Sequence, residues 1–190
     1  MDFSWSDEQQ QLRDGAQKFG ASLNEGLGAR YKEAAFPKDL WDRCAEFGLQ
    51  GMPVPAELGG GGQTALEMVA ILEGVGLTCR DNGLIFSIGA HLWACETPLL
   101  LFGTDAQKQE HLAPMAAGEL IGANAMTEPD SGSDAYALRT TAVQDGDHFV
   151  LNGTKTFVTN GPVADLFITY GRTGGKGFAG ITGFVVEQGT

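Results

Sequence analysis

The sequence predicts a multi-domain α and β chain: an all-α helical N-terminal domain over residues 1–120, then an antiparallel, barrel-like β domain over 121–190. Three observations predict it. Ser6 with Gln9, Thr64 with Glu67 and Thr104 with Gln107 each form a capping-box pattern ahead of a helical run. Three Asn-Gly or Asp-Gly dipeptides, at 145–146, 152–153 and 160–161, punctuate the second part at short spacing, as in a β-meander. The character of the chain changes near residue 120, and helices followed by strands form segregated units.

The elements follow in order. Leu12, Ala16 and Phe19 continue the helix that Ser6 opens. Pro37 opens a second, with Leu40, Trp41, Cys44 and Phe47 on one side and Gly48 as its stop. Residues 53–62 read as a loop, and Thr64 caps a helix running to about Glu73. Residues 81–102 are apolar with few charges, a buried central pair of helices that Pro98 should divide. Thr104 caps a short helix ending before Gly118. Ile121 to Met126 reads as a strand entering a polar turn. Further strands are expected at 140–144, 148–151, 154–159, 166–170 and 181–186, with Asp145-Gly146, Asn152-Gly153 and Asn160-Gly161 as hairpin turns. The chain stops at Thr190 directly after a strand. Natural sheets cover such edges, so we expect the front part of a longer protein.

Composition narrows the function. Of 190 residues, 43% are hydrophobic and only 19% charged, which supports a packed core over disorder. The net charge of −12 argues against a sequence-independent nucleic-acid binder but not against a phosphate-bearing cofactor. Cys44, Cys79 and Cys95 are widely spaced, without a Cys-x-x-Cys pair, and read as buried reduced thiols. His91, His111 and His148 share no metal spacing, so no metal site is expected, and His91 reads as a structural or pocket-lining side chain. The polar start Met1-Asp2-Phe3-Ser4-Trp5 is not a signal peptide, and no apolar run was expected to reach membrane-spanning length, so the expected location is cytoplasmic. Gly60-Gly61-Gly62 follows no strand and reads as a flexible helix entry, not a dinucleotide loop. Gly171 to Lys176 lacks P-loop spacing and reads as a mobile hairpin.

The richest stretch is Ala125-Met126-Thr127-Glu128-Pro129-Asp130-Ser131-Gly132-Ser133-Asp134, a tight turn crowded with hydroxyls and backbone N–H groups. An arbitrary turn of this kind is a surface turn. Glu128 and Asp134 invite an acid–base reading, but their context favours hydrogen bonds to local backbone. The second stretch is Leu151 to Gly161. Alone it is an ordinary hairpin with Phe157 in the core.

Together the two stretches resemble the acyl-CoA dehydrogenase family. The first matches its signature at every constrained position. The likeness extends to Glu57-Leu58-Gly59-Gly60, to Leu101–Lys108 and to Gly118–Gly122, nearly the whole chain. It implies FAD as cofactor, with Met126 and Thr127 against the flavin ring, and Gly132 and Ser133 at the pyrophosphate or the thioester arm. It places Phe157 beside the isoalloxazine, with Val158 adjoining and Thr159 near N5. Many members carry Trp at the Phe157 position, and Asn124 stands where an aromatic contact is common. The implied reaction is α,β-desaturation of an acyl thioester, α-proton abstraction with hydride transfer to N5. The base is a glutamate from a C-terminal helical domain, so it is expected beyond Thr190 and the 190-residue chain alone is expected to be inactive. The resemblance also implies an electron acceptor such as an electron-transfer flavoprotein, and a homo-oligomer. Rival readings keep the fold but take acyl groups on carrier proteins, or react with oxygen as oxidases. A rival of another class is a non-catalytic flavin-binding or partner subunit.

Overall fold

The computed structural model describes residues 4–175 and 177–190; Met1–Phe3 of the polar N-terminus and Lys176 of the glycine-rich run lie outside them. The chain divides into two compact units, Met1–Glu119 and Leu120–Thr190.

In the first unit, α1 (Asp7–Ser22) is opened by Ser6, whose hydroxyl accepts from the Gln9 N–H while the Gln9 side chain accepts from the Ser6 N–H. A short α2 (Leu27–Glu33) was not expected. It starts at Gly26 without a side-chain cap and buries no residue, so neither capping nor periodicity marked it. α3 (Lys38–Glu46) follows Pro37 and buries Leu40, Trp41 and Cys44; Phe47 at its end stacks on Phe19 of α1, ring centroids 4.0 Å apart. α4 (Ala65–Thr78) has the capping box at Thr64 and runs past the expected end near Glu73. α1 and α4 pack closely because two glycines permit it. A Cβ on Gly20 would lie 2.7 Å from the Val75 carbonyl oxygen, and one on Gly74 would lie 2.4 Å from that of Arg13. The Arg13–Glu73 pair at 2.9 Å and the Thr78 hydroxyl, donating to the Gln17 carbonyl at 2.7 Å, fix the register.

The glycine-rich loop before α4 is pinned to the preceding turn by backbone hydrogen bonds. Gly61, Gly62 and Gln63 donate to the carbonyls of Gly51, Val54 and Met52, each at 2.8 Å, and a Cβ on Gly60 would lie 2.1 Å from the Val54 oxygen. These glycines serve close backbone packing.

The apolar run also departs from expectation. α5 (Asn82–His91) continues through a π turn (Leu92–Glu96) into α6 (Thr97–Phe102) without dividing at Pro98. The wider π turn lies just before the proline and changes the hydrogen-bond spacing there, which makes room for a residue without an N–H in a continuing helix. Residues Asn82–Phe102 thus form a helical stretch of 21 residues with mean hydropathy 1.4, long and apolar enough by those two measures to cross a membrane. That corrects the expectation that no run reaches such length; it arises because Pro98 does not break the helix. α7 (Asp105–Ala116) is capped by Thr104, and the Trp41 indole donates to the Gly118 carbonyl just beyond it at 3.0 Å. All three cysteines are buried and free, with burial pushing the Cys44 and Cys95 thiols up to about 12.

The second unit is a five-stranded mixed sheet in place of the expected meander. β1 (Gly122–Ala125) lies parallel to β4 (Leu166–Arg172), which pairs antiparallel with β5 (Ile181–Glu187) on its other side. β2 (Thr141–Asp145) and β3 (His148–Asn152) form the expected hairpin, with Gly146 at φ 64 in its turn. β2 joins β4 through Thr141 and Arg172, in parallel. The class of the domain stands, but two of the three Asn/Asp-Gly signals do not make hairpins. Gly153 is needed for close approach, since a Cβ there would lie 2.3 Å from the Thr140 hydroxyl. Asn160, at φ 67, leads into a 3-10 turn (Gly161–Val163) and anchors it through a 3.0 Å bond from its side-chain amide to the Gly122 carbonyl. Residues 154–159 consequently form no strand. The glycine-rich run after β4 is held by Arg172, which donates to the carbonyls of Gly175, Gly177, Tyr136 and Leu138.

Candidate functional site

The signature stretch leaves β1 at Ala125 and turns sharply. Glu128 and Ser131 exchange backbone hydrogen bonds of 2.9 and 3.1 Å, and the Ser131 hydroxyl donates to the Asp134 carbonyl at 2.8 Å. The turn is built around the Glu128 side chain, which is buried. Its carboxylate accepts from the Arg139 N–H at 2.5 Å, the Thr140 N–H at 2.9 Å and the Lys155 ammonium at 2.9 Å. Burial alone would push this carboxyl up. The hydrogen bonds from Thr140, Arg139 and Lys155 outweigh it and hold the group down at about 2. A carboxylate so low and so fully engaged is not a general base for a carbon acid. The carboxylate is held by backbone as expected, but by residues 11 and 12 positions further along and by Lys155, not by its own turn.

Lys155 ties the second stretch to the first. Its ammonium also donates to the Met126 carbonyl at 3.1 Å, and the Thr156 N–H donates to the Thr127 carbonyl at 2.9 Å. The chain from 154 to 156 is therefore laid against residues 126–128 by one main-chain bond and one buried ion pair. Phe157 comes next, at φ 53, and it is 91% exposed, so it is not the core residue of an ordinary hairpin. A positive φ is uncommon for an aromatic residue and stores strain. Met126, Thr127, Val158 and Thr159 are half-buried, while Gly132 and Ser133 are exposed. A Cβ on Gly132 would meet nothing within 4 Å, so no neighbour in this chain requires the glycine.

Met126 and Thr127 are thus bonded to the stretch that carries Phe157, Val158 and Thr159, while Gly132 and Ser133 lie further along the same turn. In chemical terms the two joined stretches offer an exposed aromatic ring and threonine and serine side chains, with the Arg139 guanidinium paired to Asp130 at the surface of the same turn. That set suits a broad, flat ring with hydrogen-bonding edges. Lys155 carried no separate prediction; an Asn-Gly-x-Lys run with a glutamate in the partner turn is the signal that marks it.

The first unit holds a second buried carboxylate, Glu96 of the π turn. It and His91 are both fully buried. His91 Nε2 lies 3.2 Å from Glu96 Oε1 and 3.3 Å from the Met115 carbonyl oxygen, with the Trp41 ring edge-on at 5.2 Å. Neither Glu96 oxygen completes a well-directed hydrogen bond among the described residues. Burial pushes this carboxyl up, and His91 opposes it only in part. The structural reading of His91 fits; Glu96 was not singled out in the sequence, because a lone Glu in an apolar helix carries no signature.

Comparison with known proteins agrees with the resemblance. Residues 6–119 match the family model for the acyl-CoA dehydrogenase N-terminal domain, and residues 123–190 match that for its middle domain. An L-prolyl-[peptidyl-carrier protein] dehydrogenase of Serratia sp. is 39% identical over all of this chain and 50% of its own length. A short-chain specific acyl-CoA dehydrogenase of Clostridium acetobutylicum is 38% identical over the same shares. The solved structure described as PigA with FAD and proline is 38% identical, covers 100% of this chain and 50% of that one, and superposes with a TM-score of 0.95. The chain spans about half the length of the curated relatives it matches. It belongs to the acyl-CoA dehydrogenase family.

Proposed function

We propose that this chain is the cofactor-facing front part of an FAD-dependent acyl thioester dehydrogenase, an oxidoreductase acting on CH–CH bonds. The observation that supports the reading is the join between the two motifs: the Thr156–Thr127 bond and the Lys155–Glu128 pair tie the stretch that carries the exposed Phe157 to the signature turn. FAD supplies, when bound, the two-electron acceptor for α,β-desaturation. Phe157 and Val158 offer it an apolar wall. The Met126 backbone and the hydroxyls of Thr127 and Thr159 offer hydrogen bonds to its polar edges. Gly132 and Ser133 offer an open, small-residue approach for a pyrophosphate or a thioester arm. The α-proton acceptor is expected from residues outside this chain, since Glu128 is committed to its turn. The whole protein is expected to be a cytoplasmic homo-oligomer passing electrons to an acceptor such as an electron-transfer flavoprotein.

The substrate is an acyl thioester on CoA or on a carrier protein. Relatives of nearly equal identity stand on both sides, 38% for a CoA-type name and 39% for a carrier-protein one. The test is anaerobic titration of the whole, FAD-loaded protein with short acyl-CoAs and with prolyl-loaded carrier protein. Loss of the yellow absorbance with one set and not the other identifies the substrate arm. A protein that binds FAD but bleaches with neither thioester is a binding subunit. A protein that cannot be loaded with FAD overturns both readings.

A further inference from the structure

We propose that the buried Lys155–Glu128 pair is the positioning device of the flavin-facing wall, setting both how tightly flavin is held and the polarity of the peptide that meets it. The inference rests on the function proposed above and deepens it. The two side chains are 11% and 5% exposed, so neither is placed to touch a ligand itself. Burying such a pair has a desolvation cost that stability alone rarely recovers, which directs attention to what the pair orients.

The geometry supplies the answer. The Lys155 ammonium lies on the Met126 carbonyl, and that carbonyl shares its peptide with the Thr127 N–H. A cation on the oxygen side of a peptide draws density from its N–H side and strengthens that donor. Glu128 holds the ammonium in place with Oε1, which also takes the Thr140 N–H, while Oε2 takes the Arg139 N–H. The carboxylate thereby ties the start of the signature turn to the backbone at Arg139 and Thr140, just before β2, and to Lys155. Lys155 precedes the Thr156 N–H that binds the Thr127 carbonyl, and Phe157 follows at once. Moving the lysine loosens the hydroxyl wall and the aromatic wall together. Lys155 and Glu128 are positioning residues, not catalytic ones.

The experiment compares Lys155→Met, Lys155→Arg and the wild type in the whole protein, reading FAD affinity by fluorescence, the visible spectrum of the bound flavin, its midpoint potential and the thermal midpoint. Lys155→Met is expected to weaken FAD binding about tenfold or more, the worth of roughly one well-placed hydrogen bond, and to shift the spectrum and potential. Lys155→Arg keeps the charge and is expected to recover most of the affinity. A Lys155→Met protein that melts earlier but binds FAD with unchanged affinity and spectrum overturns the proposal, because the pair would then be structural only. Should that variant not fold, Glu128→Gln, which keeps the shape and loses the charge, is read against the same outcomes. If the wild type does not bind FAD, the functional reading falls, and amide exchange still decides the positioning: faster exchange at Thr127 and Thr156 in Lys155→Met supports it, and unchanged exchange overturns it.

Discussion

Glu96 and Glu128 are both buried glutamates, one in each unit, and their surroundings drive them in opposite directions. Glu128 accepts from two backbone N–H groups and an ammonium, and its carboxyl is held at about 2. Among the described residues Glu96 has His91 at 3.2 Å and no well-directed hydrogen bond, and burial pushes its carboxyl up against the partial opposition of His91. Burial acts on both groups in the same sense. What differs is the number of donors aimed at the oxygens, and that number decides whether a buried carboxylate is an anchor or a burden. The anchor sits where the chain must hold an irregular, ligand-facing turn. The burden sits on a π turn inside a helix, where main-chain N–H groups are already used within the helix.

The largest test of this contrast is removal of the anchor. Glu128→Ala takes the counter-charge from the buried Lys155 ammonium, which keeps only the Met126 carbonyl among the described residues, and frees the Arg139 and Thr140 N–H groups, so the second unit should lose about 3–5 kcal/mol. Hydrogen-exchange protection along 122–172 reports it, and the first unit should be unchanged. Protection that survives in the second unit would break the contrast.

The sequence made the Glu128 half of this contrast partly legible and the Glu96 half not at all. The signature turn marked itself through Thr, Pro, Ser and Gly in one short run, and its context placed Glu128 on local backbone. The partner, Lys155, lay in a stretch read as a strand. Asn152-Gly153 and Asn160-Gly161 fit the hairpin pattern, yet Gly153 is there for its contact with Thr140 and Asn160 for its bond to Gly122. Dipeptide signals report a permitted backbone; they do not report which long-range contact uses it. The helices were read correctly where a capping box opened them, at Ser6, Thr64 and Thr104. They were misread where tertiary packing decided, at the uncapped α2 and at the π turn that carries the helix past Pro98.

A pH series sharpens the same comparison. The Glu128 carboxyl is depressed, so its contribution is present above the ordinary value of 4.5 and is lost as pH falls toward about 2. A displacement of that size is worth about 3 kcal/mol, all of it in the second unit. Glu96 is raised, so the folded first unit is favoured at or below the ordinary value and loses stability as pH rises above it. Acidification from neutrality should therefore weaken residues 122–172 and spare, or slightly firm, the first unit. Trp5, Trp41 and Trp93 all lie in the first unit, so tryptophan fluorescence during urea unfolding follows it, while exchange mass spectrometry follows the second. Parallel loss in both units would mean that His91 more than offsets burial and holds the Glu96 carboxyl down instead of letting it rise.

The smallest effect is expected from Glu96→Gln. The amide keeps the shape of the side chain and removes the ionisation that the interior opposes, so no cavity forms and no charge has to be buried. At pH 7–8 the variant should equal the wild type or exceed it by about 1 kcal/mol or less, and the alkaline side of the first unit's stability profile should flatten. The same Glu→Gln change at Glu128 removes a charge that three donors require and should destabilise. A large loss from Glu96→Gln would show that the Glu96 carboxylate is ionised and held by His91, making the pair in the helical unit an anchor of the same kind as the one in the sheet.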